Sequence, residues 1–393
     1  MVSSVAELVG GREQATSHGS LFVARRDYQL HHSHGELPLR TALEASPEVF
    51  RLLTRQPQPG AAPARLLYLD TETTGLAGGT GTYAFLVGAG FFEADRFVLE
   101  QYFMRDLDEE PALVAAIDAL LADFDGVVTF NGRGFDLPLL ETRFVLSRRR
   151  WPDHLWHLDL LPPARRLWSS RLPDCRLATI ETRVLGLDRI DDVPGALIPS
   201  LYFRYLRSRR AEELGPVFEH NRLDVLSLVA LTGWVARALS DPGGLDLAPE
   251  EYLGLGRLWE ALDAERGVEC YRTALARGLG SPYRERVLLR LGLRAKREAR
   301  WHEACRFWEA AISGDSGFQL RPWEELAKYY EHRCRDLAGA QRVTSLAMAK
   351  ARARGAPDAV RDSLAHRLSR LRRRSRLSPL DPPSGGTHPG TKM

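Results

Sequence analysis

Three acidic runs hold the residues of this chain that could do chemistry. They are Asp70-Thr71-Glu72-Thr73-Thr74-Gly75, Asn131-Gly132-Arg133-Gly134-Phe135-Asp136 and His220-Asn221-Arg222-Leu223-Asp224. Taken singly, each has an ordinary explanation. Asp70 and Glu72 could be solvated acids at a strand end, Asp136 a helix N-cap, and His220 with Asp224 a surface pair. Together they read differently. If Asp70, Glu72, Asp136 and Asp224 met in one pocket, about four negative charges would need bound cations to compensate them. Oxygen-rich sites of that kind hold magnesium or manganese, and paired ions are a common means of cleaving phosphodiesters.

The elements that must position these acids can be traced along the chain. Leu66-Leu67-Tyr68-Leu69 is a buried-strand run that ends in the first acidic run. Side chains two apart on a strand share a face, so Asp70 and Glu72 can address one ion pair. Tyr83 to Phe92 and Arg96 to Met104 read as two further strands, giving an antiparallel meander. A helix opened by Pro111 follows, then a strand, Val127-Val128-Thr129-Phe130, leading into the second run. Leu137 to Ser147 reads as helix and His157 to Leu161 as a fifth strand, with helices filling most of the stretch to Ser240. His220 and Asp224 are four apart on a helix that also carries Val225, Leu226, Leu228, Val229 and Leu231. Burying a carboxylate there without a partner would be costly, which favours a functional role.

This pattern predicts a mixed five-stranded sheet with flanking helices over 65–240, an α/β layer architecture. Residues 1–64 read as an N-terminal extension closed by a Pro-rich linker, Gln56 to Pro63. The Gly-rich run Gly75 to Gly81 lacks the Lys-Ser/Thr of a nucleotide loop and joins two strands, so it reads as a hairpin turn beside the site. From 247 to 355 the chain is all-helical, and Leu255-Gly256, Leu291-Gly292 and Leu326-Ala327 open similar blocks. Their spacings of about 36 and 35 residues lie near the tetratricopeptide period. Residues 356–393 hold a basic helix, Arg367 to Arg374, and a Pro/Gly/Ser tail expected to be disordered.

Composition sets outer bounds. A net charge of +3 neither demands nor excludes nucleic acid. Four scattered cysteines without a CxxC pair argue against a disulfide framework or zinc knuckle and for a cytoplasmic protein. No signal peptide is expected at Met1 to Gln14, and no run of the roughly 20 apolar residues needed to span a bilayer, so no membrane partner is expected.

The three runs resemble the motifs of the DEDD (DnaQ-like) 3′–5′ exonucleases of the ribonuclease H-like fold, above all the bacterial YprB-type domain, across residues 65–240. Asp70-Thr71-Glu72 resembles the family's DxE motif, Asn131 to Asp136 its Nx3(F/Y)D motif, and His220 with Asp224 its third. The resemblance implies two divalent cations, Mg²⁺ or Mn²⁺, bound by Asp70, Glu72, Asp136 and Asp224. It implies His220 as general base, with Thr73, Thr74, Asn131 and Phe135 at the substrate. The partner would be DNA or RNA with a free 3′ end, and the helical repeats would recruit a protein partner or guide the strand. One departure stands out: the family uses His with four residues before the last Asp, or Tyr with three, and this chain has His with three. On a helix that turns the imidazole by roughly 100°. The competing expectation is a catalytically weak or inactive scaffold that binds nucleic acid and recruits partners.

Overall fold

The apolar run Leu66–Leu69 lies inside a seven-stranded sheet. The computed structural model describes residues 4–54, 62–75, 79–314 and 317–377. Gln56–Ala61 of the expected linker, Leu76–Gly78 of the Gly-rich run and the tail beyond 377 lie outside the described residues. The chain divides into two units, Met1–Ala274 and Leu275–Met393.

The first unit begins with helix α1 (Val5–Val9), strands β1 (Arg12–Thr16) and β2 (Gly19–Gln29), the two-residue strands β3 (Ser33–His34) and β4 (Leu37–Pro38), and helix α2 (Pro47–Thr54). The expected meander follows as β5 (Leu66–Thr73), β6 (Ala84–Glu93) and β7 (Arg96–Phe103). Next come α3 (Glu110–Leu121), β8 (Gly126–Thr129), α4 (Asp136–Leu146), β9 (Trp156–Asp159), α5 (Leu161–Trp168), α6 (Leu177–Ile180), α7 (Ile198–Ser208) and α8 (Gly215–Ser240). Strand order is β1-β2-β7-β6-β5-β8-β9. Strand β5 runs parallel to β8, and β8 to β9, while β6, β7, β2 and β1 alternate antiparallel.

The sheet therefore has seven strands where the sequence reading expected five. The two additional strands come from the segment read as an extension. Strand β2 pairs with β7 from Phe22↔Phe103 to Gln29↔Arg96. Its second half, Arg25-Arg26-Asp27, breaks the apolar alternation that marks a strand. Those charges are matched across the sheet instead: Arg25 pairs with Glu93 at 2.8 Å and Glu100 at 3.3 Å, and Arg96 with Asp27 at 3.2 Å.

The pleat of β5 decides what each face meets. Leu67 and Leu69 enter the core shared with α3, α4 and α7. Tyr68 points the other way, against Phe92 and Phe97, on the face that α8 covers. By the same alternation Asp70 and Glu72 face α8 and Thr71 faces α4. Helix α8 corrects a second expectation. Residues Ala211–Ser240 are long and apolar enough to cross a membrane by length and composition, but 78% of the most apolar window is buried inside the protein. It is the core helix of this unit.

Helix α9 (Pro249–Trp259) packs on α5, where a Cβ at Gly254 would come within 2.5 Å of the Leu167 Cα. Helix α10 (Ala264–Ala276) closes the first unit. The second is all-helical: α11 (Tyr283–Arg297), α12 (Trp301–Ile312), α13 (Leu320–Lys328), α14 (Leu337–Ala353) and α15 (Asp358–Leu377). The repeat blocks share a packing device. Gly256 on α9 opens space for the ring of Tyr271 on α10, and Gly292 on α11 does so for Trp308 on α12; a Cβ would lie 2.4 Å from either ring.

Candidate functional site

At the C-terminal ends of β5 and β8 the three acidic runs come together. Asp70 lies in the second half of β5, where its carboxylate accepts from Asn221 Nδ2 of α8 at 2.9 Å. Asn221 is fully buried and is itself held by Gln101 of β7, whose Nε2 donates to Asn221 Oδ1 at 2.9 Å and to the Phe218 carbonyl at 2.8 Å. The amide fits because β6 carries Gly88 opposite Asp70; a Cβ there would sit 2.3 Å from Asn221 Oδ1. Glu72 follows on the same face, and the register between β5 and β6 shifts directly after it.

Asp136 arrives from the other face. The Thr71 hydroxyl donates to Asp136 Oδ1 at 2.6 Å. Asp136 is the first residue of α4, one position past the N-cap, which Phe135 occupies without a side-chain bond. Asp136 is therefore not the N-cap residue itself. The turn before it is shaped by Asp159 at the end of β9, which accepts from the backbone N–H of Asn131 at 2.8 Å and of Arg133 at 3.2 Å. Asn131 adopts a left-handed backbone, φ 65°, which Asn tolerates better than most residues. Gly132 has no room for a Cβ, which would lie 2.2 Å from Thr129 Oγ1.

Asp224, one turn after His220 on α8, receives an ion pair from Arg189. The same guanidinium meets Glu181 at 2.5 Å and Asp192 at 3.1 Å. Ser227 donates to Glu181, and His34 Nε2 lies 2.8 Å from Ser227 Oγ, so the network reaches back to β3. His220 Nδ1 lies 2.8 Å from Asp192 Oδ1 and 3.4 Å from Arg189 Nη1, while its Nε2 is 3.7 Å from Asp224 Oδ2. The shorter contact fits an Nδ1–H donating to Asp192.

Electrostatics tie the acids into one site. Burial first, then the Asp224 and Asp136 carboxylates, push Asp70 well above the ordinary carboxylate range. Burial and then Asp70, Asp224 and Asp136 do the same to Glu72. Asp136 is pushed up to about 6, mainly by burial, against the hydrogen bond from Thr71. Burial also raises Glu181, although Arg189 and Ser227 pull it down. For Arg189, burial would favour the neutral form, but Asp224 and Glu181 outweigh it and the guanidinium stays charged. The ion pair is thus the better description of these two residues.

A donor set of buried, mutually repelling carboxylate oxygens suits a hard divalent cation. As the side chains stand, no group of three or more His, Cys, Asp or Glu among the described residues is gathered to ligand geometry. Beside the acids opens a cleft of about 480 Å³ lined by Thr71, Glu72, Thr73, Phe135, Asp136 and Thr142. Phe135 is 59% exposed there. Thr73 Oγ1 donates to the Gly75 carbonyl at 2.8 Å, while Thr74 is committed to Tyr83, its N–H to the carbonyl and its hydroxyl accepting from the amide, both at 2.9 Å. Thr74 thus shapes the loop.

Sequence reasoning missed Arg189, Asn221, Gln101, Thr71 and Asp192 as parts of the site. Asn221 and Thr71 lie inside the acidic runs, so position could have flagged them. Arg189 and Gln101 carry no local signal.

A family profile described as RNase_H superfamily matches residues 67–236, which contain every clustered acid and exclude β1 and β2. The uncharacterized protein YprB of Bacillus subtilis (strain 168) is 30% identical over 362 residues, covering 88% of this chain and 84% of that protein. The chain therefore belongs to the YprB family, with an RNase H superfamily domain built around the acids of β5, α4 and α8.

Proposed function

We propose that this protein is a metal-dependent nuclease that hydrolyses phosphodiester bonds of DNA or RNA, trimming from a 3′ end. The observation that carries the reading is the convergence of Asp70, Glu72, Asp136 and Asp224, from three separate runs, at one locus where the neighbouring carboxylates raise the proton affinity of Asp70 and Glu72. Two divalent cations, Mg²⁺ or Mn²⁺, would be held by these four residues. When bound, they would supply charge to activate water and to steady the leaving oxygen.

The chain's own residues have the remaining tasks. Asn221 and Thr71 hold Asp70 and Asp136 in place, and Arg189 orients Asp224. Phe135 offers an exposed ring at the cleft for stacking a base, with Thr73 also lining it, while Asn131 shapes the turn that presents Phe135. His220, with Nδ1 held by Asp192 and Nε2 3.7 Å from Asp224 Oδ2, is placed to accept a proton from water despite its atypical spacing. If it does, His220→Ala should flatten the acid limb of the pH–rate profile. A limb that survives the substitution would remove His220 from that role.

A second reading, an inactive scaffold, is favoured by one observation: Arg189 already neutralises Asp224. In either case the helical hairpins, which we read as tetratricopeptide-like, would recruit a protein partner. Four free cysteines fit a cytoplasmic setting, which cell fractionation would test. The deciding experiment incubates purified protein with matched DNA and RNA strands, labelled at either end, with Mn²⁺ or Mg²⁺. Stepwise shortening from the 3′ end is expected. Binding without shortening under every condition would support the scaffold.

A further inference from the structure

We infer that the groove between α14 and α15 is a second nucleic-acid site that grips the sugar–phosphate backbone of a single strand. This rests on the nuclease reading only for the choice of polyanion. The groove encloses about 600 Å³ and is lined by Arg352 of α14 and by Arg372, Arg373 and Arg376 of α15, with Met348 and Leu368 between them. No acidic side chain lines it among the described residues.

The arginines of α15 divide into two sets with different surroundings. Arg367, Arg370 and Arg374 turn to one buried acid, Glu331, whose side chain is 0% exposed. That set is structural: its charge is matched inside the unit. Arg352, Arg372, Arg373 and Arg376 are exposed and make no ion pair with any described residue. Arg372 and Arg376 are spaced i,i+4 on one helix face, an arrangement of like charges that destabilises a helix. The helix keeps that repulsion without an internal partner, and a polyanion would relieve it.

The geometry selects the kind of polyanion. A membrane-surface helix needs a free apolar face. Leu364 and Leu371 of α15 are buried, at 3% and 0% exposed, which leaves Leu368 at the groove rather than a broad apolar face. Guanidinium forks match phosphate oxygens in pairs, and Met348 and Leu368 give an unwound base an apolar surface between them. A single strand presents both features together.

The test measures anisotropy of a 5′-fluorescein-labelled single-stranded oligonucleotide with the full chain in EDTA, so that no cleavage intervenes. The variant is Arg372→Gln, Arg373→Gln, Arg376→Gln. An equal-charge control replaces the exposed Arg286, Arg306 and Arg321 of the same unit by Gln. The groove variant should bind about tenfold or more weakly at low salt, and its slope of log K against log[salt] should fall by about 2, at ~0.7 per phosphate contact. The control should match wild type. Groove and control variants weakened alike, or wild-type binding by the groove variant, would overturn the inference. So would loss of binding confined to poly-glutamate or to phosphatidylglycerol vesicles, the probes for an acidic peptide or a lipid surface. Binding lost from the groove variant in a protein that cleaves nothing would sustain the groove while sinking the nuclease. Intact binding beside normal cleavage would do the reverse.

Discussion

Asp70→Asn is expected to slow strand shortening by about a thousandfold or more while leaving the metal-free protein as stable as wild type, or more stable. The two halves of this result have one cause. The Asp70 carboxylate is held among buried acids that disfavour its charge, so removing that charge relieves repulsion in the absence of cations. The same charge is what a divalent ion would need, and losing several kcal/mol of stabilisation at the reacting phosphate gives a factor of this size. Asparagine keeps the shape of the side chain and a hydrogen-bonding partner for Asn221. Activity within a few-fold of wild type would show that the acid cluster is not the reacting centre. A parallel loss of melting temperature would mean that Asp70 supports the fold.

Arg189→Met should destabilise the metal-free protein by about 3–5 kcal/mol, the usual consequence of removing one partner from a buried ion pair. Arg189 is 12% exposed and its partners Glu181 and Asp224 are 1% and 16% exposed, so solvent screens these contacts weakly. Methionine fills much of the same volume but leaves both carboxylates without a counter-charge. Mn²⁺ should recover part of the loss, because a cation at the acids would take over the neutralisation of Asp224. Urea denaturation with and without Mn²⁺ reads both effects. A change below about 1 kcal/mol in EDTA would contradict the role given to Arg189. An unfolded variant would be replaced by Arg189→Lys, which keeps the charge and loses the fork. It should be affected less and show the same direction of Mn²⁺ rescue.

How far the chain could be read in advance follows from where each signal resides. The meander, β8, α4, β9 and α8 were legible because their apolar periodicity is local and strong. The four acids were legible because each sits next to such an element. Strands β1 and β2 were not, because Arg12-Glu13-Gln14-Ala15-Thr16 carries no apolar alternation and β2 exchanges it for cross-strand ion pairs with Glu93, Glu100 and Arg96. Those partners are visible only when the strands are side by side. Arg189 was illegible for a related reason. It stands in a polar stretch, Asp188 to Asp192, and its value comes from Glu181 and Asp224, which folding brings to it. Gly88 and Asn221 form a third case: neither predicts the other, yet the missing Cβ of one makes room for the amide of the other.

The most direct test of the central claim is calorimetric titration of the full chain with Mn²⁺ near pH 6, repeated in two buffers of different ionisation enthalpy. Asp136, pushed up to about 6, carries a proton part of the time there, and Asp70 and Glu72 also have raised proton affinity from burial and the neighbouring carboxylates. Ion binding should therefore saturate and release protons, and both signals should vanish in Asp70→Asn. No uptake by the wild type, or uptake equal in the wild type and Asp70→Asn without proton release, would contradict the account.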